Sequence, residues 1–224
     1  MQEFKYTGTS AEGKETNALR WASLDRVFHA QRYNAIYDHV LGKSVLEVGC
    51  GNGSIIGELK NKKPELDCRG IDINPDYIRN AKTHFPSVNF KVADLYKYKT
   101  SADTVVMTEV LEHWFTPIDW LKNLNRLARK RVIVTVPNKN RVENPEHVLF
   151  LDHSNFESLL AQVFPRKNIT IKPVAADFPT LRNNALLNKG TGRVSSALGM
   201  DNFFSSTAAS FENSLFLMAI IDKR

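Results

Sequence analysis

The sequence predicts an α/β fold: a single-domain, Rossmann-like, doubly wound sheet of seven mostly parallel strands. Three observations carry this expectation. Short β-branched runs alternate with segments whose apolar residues recur at helical spacing, the rhythm of parallel strands joined by crossover helices. One such run, Ser44-Val45-Leu46-Glu47-Val48, ends in Gly49-Cys50-Gly51-Asn52-Gly53, a tight turn feeding a strand into a helix. The chain has 224 residues, 42% hydrophobic and 24% charged, which suffices for one sizeable core. The same composition excludes a disordered tail, a collagen-like fibre and a disulfide-stapled miniprotein.

Taken in order, Ser44–Val48 is the first strand, and Ile55, Ile56 and Leu59 mark the helix after the glycine turn. A second strand runs from Cys68 to Ile73, and Asn74-Pro75 then supplies a cap with proline at the first helical position. Val88–Val92 and Thr104–Met107 are the third and fourth strands. Thr116-Pro117 opens a helix whose Ile118, Leu121, Leu124 and Leu127 share one face. Val132–Val136 is the fifth strand. Ser154 and Glu157 are expected to form a capping box before Leu159, Leu160 and Val163. Ile169–Ile171 and Leu215–Ile221 complete the sheet. No internal repeat is visible.

Residues 1–27 and about 175–212 do not share this rhythm. They are expected to be a cap and a variable lid insertion over the carboxyl ends of the strands, with plain mobile surface as the alternative. The longest strongly apolar run, Leu215–Ile221, is too short to span a bilayer, so no membrane insertion is expected. The N-terminus lacks the apolar stretch of a signal peptide, and two cysteines, Cys50 and Cys68, suit a reducing compartment; a cytoplasmic location is the expectation. The formal charge of +6 is spread along the chain. Its densest clusters, Lys60-Lys62-Lys63 and Arg129-Lys130-Arg131, read as solvated surface. The second is expected at a helix end, where cations complement the dipole. A nucleic-acid partner is therefore allowed but not favoured.

The chemistry begins at the glycine turn, where bare backbone and a helix N-terminus let a ligand approach closely. Asp72 ends the second strand, placed to accept hydrogen bonds from ribose hydroxyls. Asp94 follows the third strand and Glu109 the fourth. Three successive strands ending in carboxylates on one edge are hard to explain as packing.

With these residues in hand, the chain resembles class I S-adenosylmethionine-dependent methyltransferases. The resemblance rests on VLEVGCGNG (45–53), GIDINP (70–75), VADLY (92–96), DTVVMTEVLEHW (103–114) and VIVTVPN (132–138), in that order, and covers roughly residues 28–165. It implies a methyltransferase domain over residues 28–224, the last strand of its seven-stranded sheet antiparallel, with S-adenosylmethionine as cofactor. It implies that Gly49, Gly51 and the backbone at Cys50 lie against the methionine part, and that Glu47 faces its ammonium through water. Asp72 would take the ribose hydroxyls, Ile73 would pack on the adenine, and Asp94 would accept from the adenine amino group beside the Leu95 backbone. Thr108 and Glu109 would border the sulfonium. Arg32 would pair with the cofactor carboxylate, an exposed surface arginine being the plain alternative. Cys50 itself reads as only a small turn residue.

A nicotinamide-binding domain is the rival. Its third glycine would fall where this chain has Ser54, and Glu47 would set a negative charge near its pyrophosphate. S-adenosylmethionine has no phosphate and carries an ammonium, so the acid is welcome. The expected acceptor is a small-molecule nucleophile, an oxygen before nitrogen or carbon, with His113 and Glu109 as catalytic residues and His113 as general base. The run Glu109-x-x-Glu112-His113, with His147 downstream, also reads as a divalent-metal set. It resembles the pattern of small-RNA 2′-O-methyltransferases and ubiquinone-pathway O-methyltransferases. Many relatives carry the run with no metal requirement, so no metal is expected. An RNA 2′-O-methyltransferase and a non-catalytic cofactor-binding scaffold stand as the alternatives.

Overall fold

The computed structural model describes residues 24–138, 146–176, 211 and 214–223. The chain divides into two units. Of the first, residues 1–31 and 178–208, only the start of a helix is described. The second, residues 32–177 and 209–224, carries the fold. The cap expected over 1–27 and the insertion expected over 175–212 lie outside the described residues except at their edges.

The order of elements is α1 (Leu24–Asp38), β1 (Ser44–Val48), α2 (Ser54–Lys62), β2 (Asp67–Asp72), α3 (Pro75–His84), β3 (Asn89–Val92), β4 (Ala102–Thr108), α4 (Pro117–Leu127), β5 (Ala128–Pro137), α5 (His153–Leu160), β6 (Ile169–Ala176) and β7 (Ser214–Asp222). The strands form one seven-stranded sheet in the order β3-β2-β1-β4-β5-β7-β6. Neighbouring strands from β3 through β5 pair in parallel, and β7 runs antiparallel to both β5 and β6. This is the predicted architecture. β1 and β4 are buried along their whole lengths, as central strands covered on both faces must be. Leu46, Val105, Met107, Val132, Val134, Leu217 and Ala219 form the core with Leu121, Leu124 and Leu127 of α4.

Two local expectations are corrected. The Asn74 side chain caps α3 as predicted, accepting from the Asp76 and Tyr77 amides. At α5, however, the cap is Asp152, whose carboxylate accepts from Asn155 N at 2.8 Å. Ser154 already lies inside the first turn, and Glu157 pairs with Arg166 at 2.9 Å. Arg129, Lys130 and Arg131 are not at a helix end: α4 stops at Leu127 and they open β5. There Arg129 and Lys130 meet Asp103, and Arg131 meets Asp222. The basic cluster serves to join strand ends.

Asp103 is the hub of that join. Its carboxylate accepts from Lys43 N at 2.8 Å and from Arg129 Nε at 3.1 Å, tying the approach to β1 and the start of β5 to β4. Its pKa is held down to about 2, first by the Lys43 amide and then by the Arg129 and Lys130 charges. A carboxylate with a depressed pKa stabilises the fold above its unfolded value and ceases to do so as pH falls through the folded one. Asp103→Asn should lower stability by about 1–3 kcal/mol at pH 7. In urea unfolding, the gap to wild type should narrow as pH is lowered from about 4 towards 2.

Candidate functional site

The carboxyl ends of β1, β2 and β4 lie side by side, since Val48 pairs with both Ile71 and Met107. Asp72 is the last residue of β2 and pairs with Val92 at the end of β3. Glu47, Asp72, Asp94 and Glu109 are thereby brought to one edge. This is the edge at which an open doubly wound sheet binds its ligand.

The turn after β1 is shaped by what its glycines exclude. Gly49, Gly51 and Gly53 all have positive φ, the region that L side chains avoid. A Cβ on Gly49 would stand 2.6 Å from Val110 Cγ2, whereas one on Gly51 would meet no atom within 4 Å. Gly49 is glycine for packing; Gly51 opens onto free space, the opening a close-lying ligand requires. Gly49 N and Cys50 N both donate to Ile71 O, at 2.9 and 3.0 Å. Burial, with help from Glu47, pushes the Cys50 thiol up, so it is an unreactive filler.

Asp72 has a second task that sequence reasoning missed. Its Oδ2 accepts from Gly51 N at 2.9 Å and its Oδ1 from Asn74 N at 2.8 Å. It therefore braces the glycine turn against the start of α3, with lone pairs still available on both oxygens. Ile73, next along, is 62% exposed, a flat apolar surface presented beside that carboxylate. Asp94 is half-buried and accepts from Tyr96 N at 2.9 Å, while Leu95 turns into the core.

Deeper in the edge lie a buried carboxyl, Glu47, and a half-buried one, Glu109. Glu47 accepts from Ile56 N at 3.2 Å and from Thr108 Oγ1 at 3.4 Å. Burial pushes its pKa up to about 8 against the opposing pull of the Ile56 amide and Arg32. Glu109 holds a left-handed φ of 52°. Its Oε1 accepts from Thr135 Oγ1 at 2.8 Å and lies 3.4 Å from Arg32 Nη1. Burial raises its pKa too, opposed by Arg32.

Arg32 is no surface arginine. It is buried, with its guanidinium 4.7 Å from the centre of the Phe216 ring. Thr135, within the quoted run 132–138, and Phe216, in no quoted run, are supporting residues that the register of β5 and β7 reveals.

His113 is the last residue of a short 3₁₀ turn, Leu111–His113, beyond β4. It stands beside Glu112 and His147 rather than with Glu109. The Glu112 carboxyl is pushed well up, by burial first and the Glu109 charge second. Burial and the neighbouring His113 push the His147 imidazole down, towards its neutral form.

Fold and edge together define a Rossmann-like domain with carboxylates gathered at the carboxyl ends of its strands. Comparison with known proteins makes the class specific. A family described as "Methyltransferase domain" matches residues 46–134. Among curated relatives, the ubiquinone biosynthesis O-methyltransferase of Nitrosospira multiformis is 28% identical over 144 residues, covering 61% of this chain and 54% of that protein. A trans-aconitate 2-methyltransferase of Rhodopseudomonas palustris is 26% identical over 110 residues, covering 48% and 43%. The chain thus spans about half the length of these curated relatives.

Among solved structures, a SAM-dependent methyltransferase from Archaeoglobus fulgidus superposes with a TM-score of 0.63 at 16% identity, covering 96% of this chain and all of that one. The plantazolicin methyltransferase BpumL, crystallised with a substrate analogue and SAH, gives 0.58 at 18%, covering 95% and 88%. Over residues 46–134 the chain is thus similar in sequence to methyltransferase domains, and its fold is that of solved SAM-dependent methyltransferases. Among the described residues, no helix is long and apolar enough to cross a membrane.

The bracing by Asp72, together with the ribose contact that the resemblance implies, gives a prediction in two readouts. Asp72→Ala should weaken S-adenosylmethionine binding at least about tenfold in calorimetry. It should also cost about 1–3 kcal/mol in urea unfolding, because the Gly51 and Asn74 amides lose their acceptor.

Proposed function

We propose that this chain transfers the methyl group of S-adenosylmethionine to a small-molecule nucleophile, an oxygen atom. The observation that carries the reading is the joint placement of open space over Gly51, the Asp72 carboxylate and the bare Ile73 side chain at one sheet edge. A glycine floor, a ribose acceptor and an apolar face for the adenine stand in the order a nucleoside-linked amino acid needs. When bound, the cofactor supplies an electrophilic methyl on its sulfonium, so the protein's part is alignment and exclusion of water.

The residues divide as follows. Gly49 and Gly51 admit the methionine part to the backbone. Glu47 answers the ammonium, and Arg32 lies within the same buried edge for the carboxylate. Asp72 takes the ribose, and Asp94 with the Leu95 backbone takes the adenine amino group. Thr108, bonded to Glu47, borders the sulfonium.

Glu109 is assigned to holding Arg32 rather than to proton transfer, because its Oε1 is already engaged by Thr135 and Arg32. His113 borders the acceptor side. Its Nε2 stands 3.9 Å from Glu112 Oε1, so a direct-base role competes with a role inside that cluster. The oxygen assignment draws support from the ubiquinone-pathway relative, named as an O-methyltransferase.

The test is incubation of the protein with S-adenosylmethionine labelled in its methyl group and a cell extract that retains its small molecules and RNA, followed by characterisation of the labelled product. A labelled methyl ether or ester formed by wild type, and lost in Asp72→Ala, is the expected result. Label recovered in RNA would favour the nucleic-acid alternative. Binding of the cofactor with no transfer to any extract fraction would favour a scaffold.

A further inference from the structure

Glu112 is 1% exposed, and neither of its carboxyl oxygens has a hydrogen-bond partner. Its nearest ionic neighbours are His113 Nε2 and His147 Nε2, each 3.9 Å from Oε1, beyond hydrogen-bond reach. One donor atom from each of the three residues lies within 4.8 Å of the others. The two imidazole rings meet edge to face, with centroids 4.9 Å apart. A buried carboxyl with no partner is costly, and a histidine cluster serving only packing would have closed those gaps into hydrogen bonds. A small cation between the three donors accounts for both the spacing and the missing partners.

The backbone holds the arrangement in place. Val148 N and Leu149 N both donate to Glu112 O, at 2.8 and 3.1 Å, which pins the segment carrying His147 to the 3₁₀ turn. His113 Nδ1 lies 3.2 Å from Glu146 O. A carbonyl can only accept, so the proton sits on Nδ1 and the Nε2 lone pair is left on the side of Glu112, the usual support for a ligating histidine.

We propose that Glu112, His113 and His147 form a three-ligand site for a first-row divalent transition-metal cation of the zinc type. Two imidazoles and one carboxylate suit such an ion better than magnesium or calcium, which favour all-oxygen shells. Donors around a tetrahedral zinc stand about 3.4 Å apart, so each histidine closes on Glu112 by about 0.5 Å and the two imidazole nitrogens draw together from within 4.8 Å. Glu109 is outside it, its Oε1 being taken by Thr135 and Arg32. The His147 side chain is 6% exposed and that of His113 29%. The site therefore reaches solvent past His113, where a water or an oxygen ligand completes the coordination. This inference stands on the cluster alone and is independent of methyl transfer.

The test uses the full chain, stripped of metal with a chelator, dialysed and titrated with Co²⁺ while visible absorption is followed. One equivalent should bind, be displaced by Zn²⁺, and be unaffected by excess Mg²⁺. Glu112→Gln and His147→Ala should each weaken Co²⁺ binding by about a hundredfold or more, since even outer partners of a ligand are worth 10–100-fold. The exposed His84→Ala should bind as wild type does. Circular dichroism monitors folding, and His113→Ala, at the solvent side, decides the matter should both buried variants unfold. No saturable binding by wild type, unchanged affinity in the ligand variants, or displacement of Co²⁺ by Mg²⁺ would each overturn the proposal. S-adenosylmethionine binding, measured separately on the same metal-free protein, reports on the methyl-transfer reading alone.

Discussion

Two buried glutamates, Glu47 and Glu112, and the half-buried Glu109 stand behind the carboxyl edge of the sheet, and one buried guanidinium, Arg32, opposes the rise in pKa of all three. The arrangement of the site follows from this imbalance. Carboxyls removed from water must be protonated, paired or met by a cationic ligand. Glu109 takes the ion pair. Glu47 and Glu112 remain, each with a raised pKa, in a region with more buried acids than buried cations among the described residues. A pocket so constituted suits ligands that bring positive charge: an ammonium and sulfonium at Glu47, a metal ion at Glu112.

The fold makes that concentration of charge tolerable by giving every other group at the edge a fixed partner. Gly49 and Cys50 hang from Ile71, and Gly51 from Asp72. Thr108 donates to Glu47, and Thr135 to Glu109. These bonds come from strand ends and tight turns on a rigid central sheet, so the carboxyls stay in place without a ligand. The left-handed backbone at Glu109 belongs to the same pattern: strain of about 1–3 kcal/mol is held where the surroundings determine it. It turns the side chain towards Arg32 and Thr135 and lets the chain leave β4 for the 3₁₀ turn that carries Glu112 and His113.

Much of this was legible in the sequence because it is local. β-branched runs separated by amphipathic segments announced the sheet. The glycine turn and the acids ending β2 and β4 announced the edge, since strand period and turn chemistry act over a few residues. What was illegible depends on contacts between distant segments. Arg32 reads as either a cofactor contact or a surface residue until Phe216, from the far end of the chain, is seen against its guanidinium. Asp72 reads as a ligand group alone until its bonds to Gly51 and Asn74 appear. The E-x-x-E-H run invites a four-residue metal set. Only the pinning of Val148 and Leu149 to Glu112, and the capture of Glu109 by Thr135, reduce it to three. The cap of α5 was misplaced by two residues because Asp152 and Ser154 are both good caps, and the choice between them is made by where the helix enters.

The central claim is that buried, partly protonated acid awaits a cationic cofactor at this edge, and proton release on binding tests it most directly. Calorimetry of S-adenosylmethionine binding to metal-free protein at about pH 6.5, in two buffers of different ionisation enthalpy, counts the protons lost. That pH lies below the Glu47 value of about 8 and below the ordinary α-amino range, so both partners start protonated. Pairing with the ammonium favours the carboxylate, and the account predicts release approaching one proton, abolished in Glu47→Gln. Tight binding whose heat is the same in both buffers would contradict it.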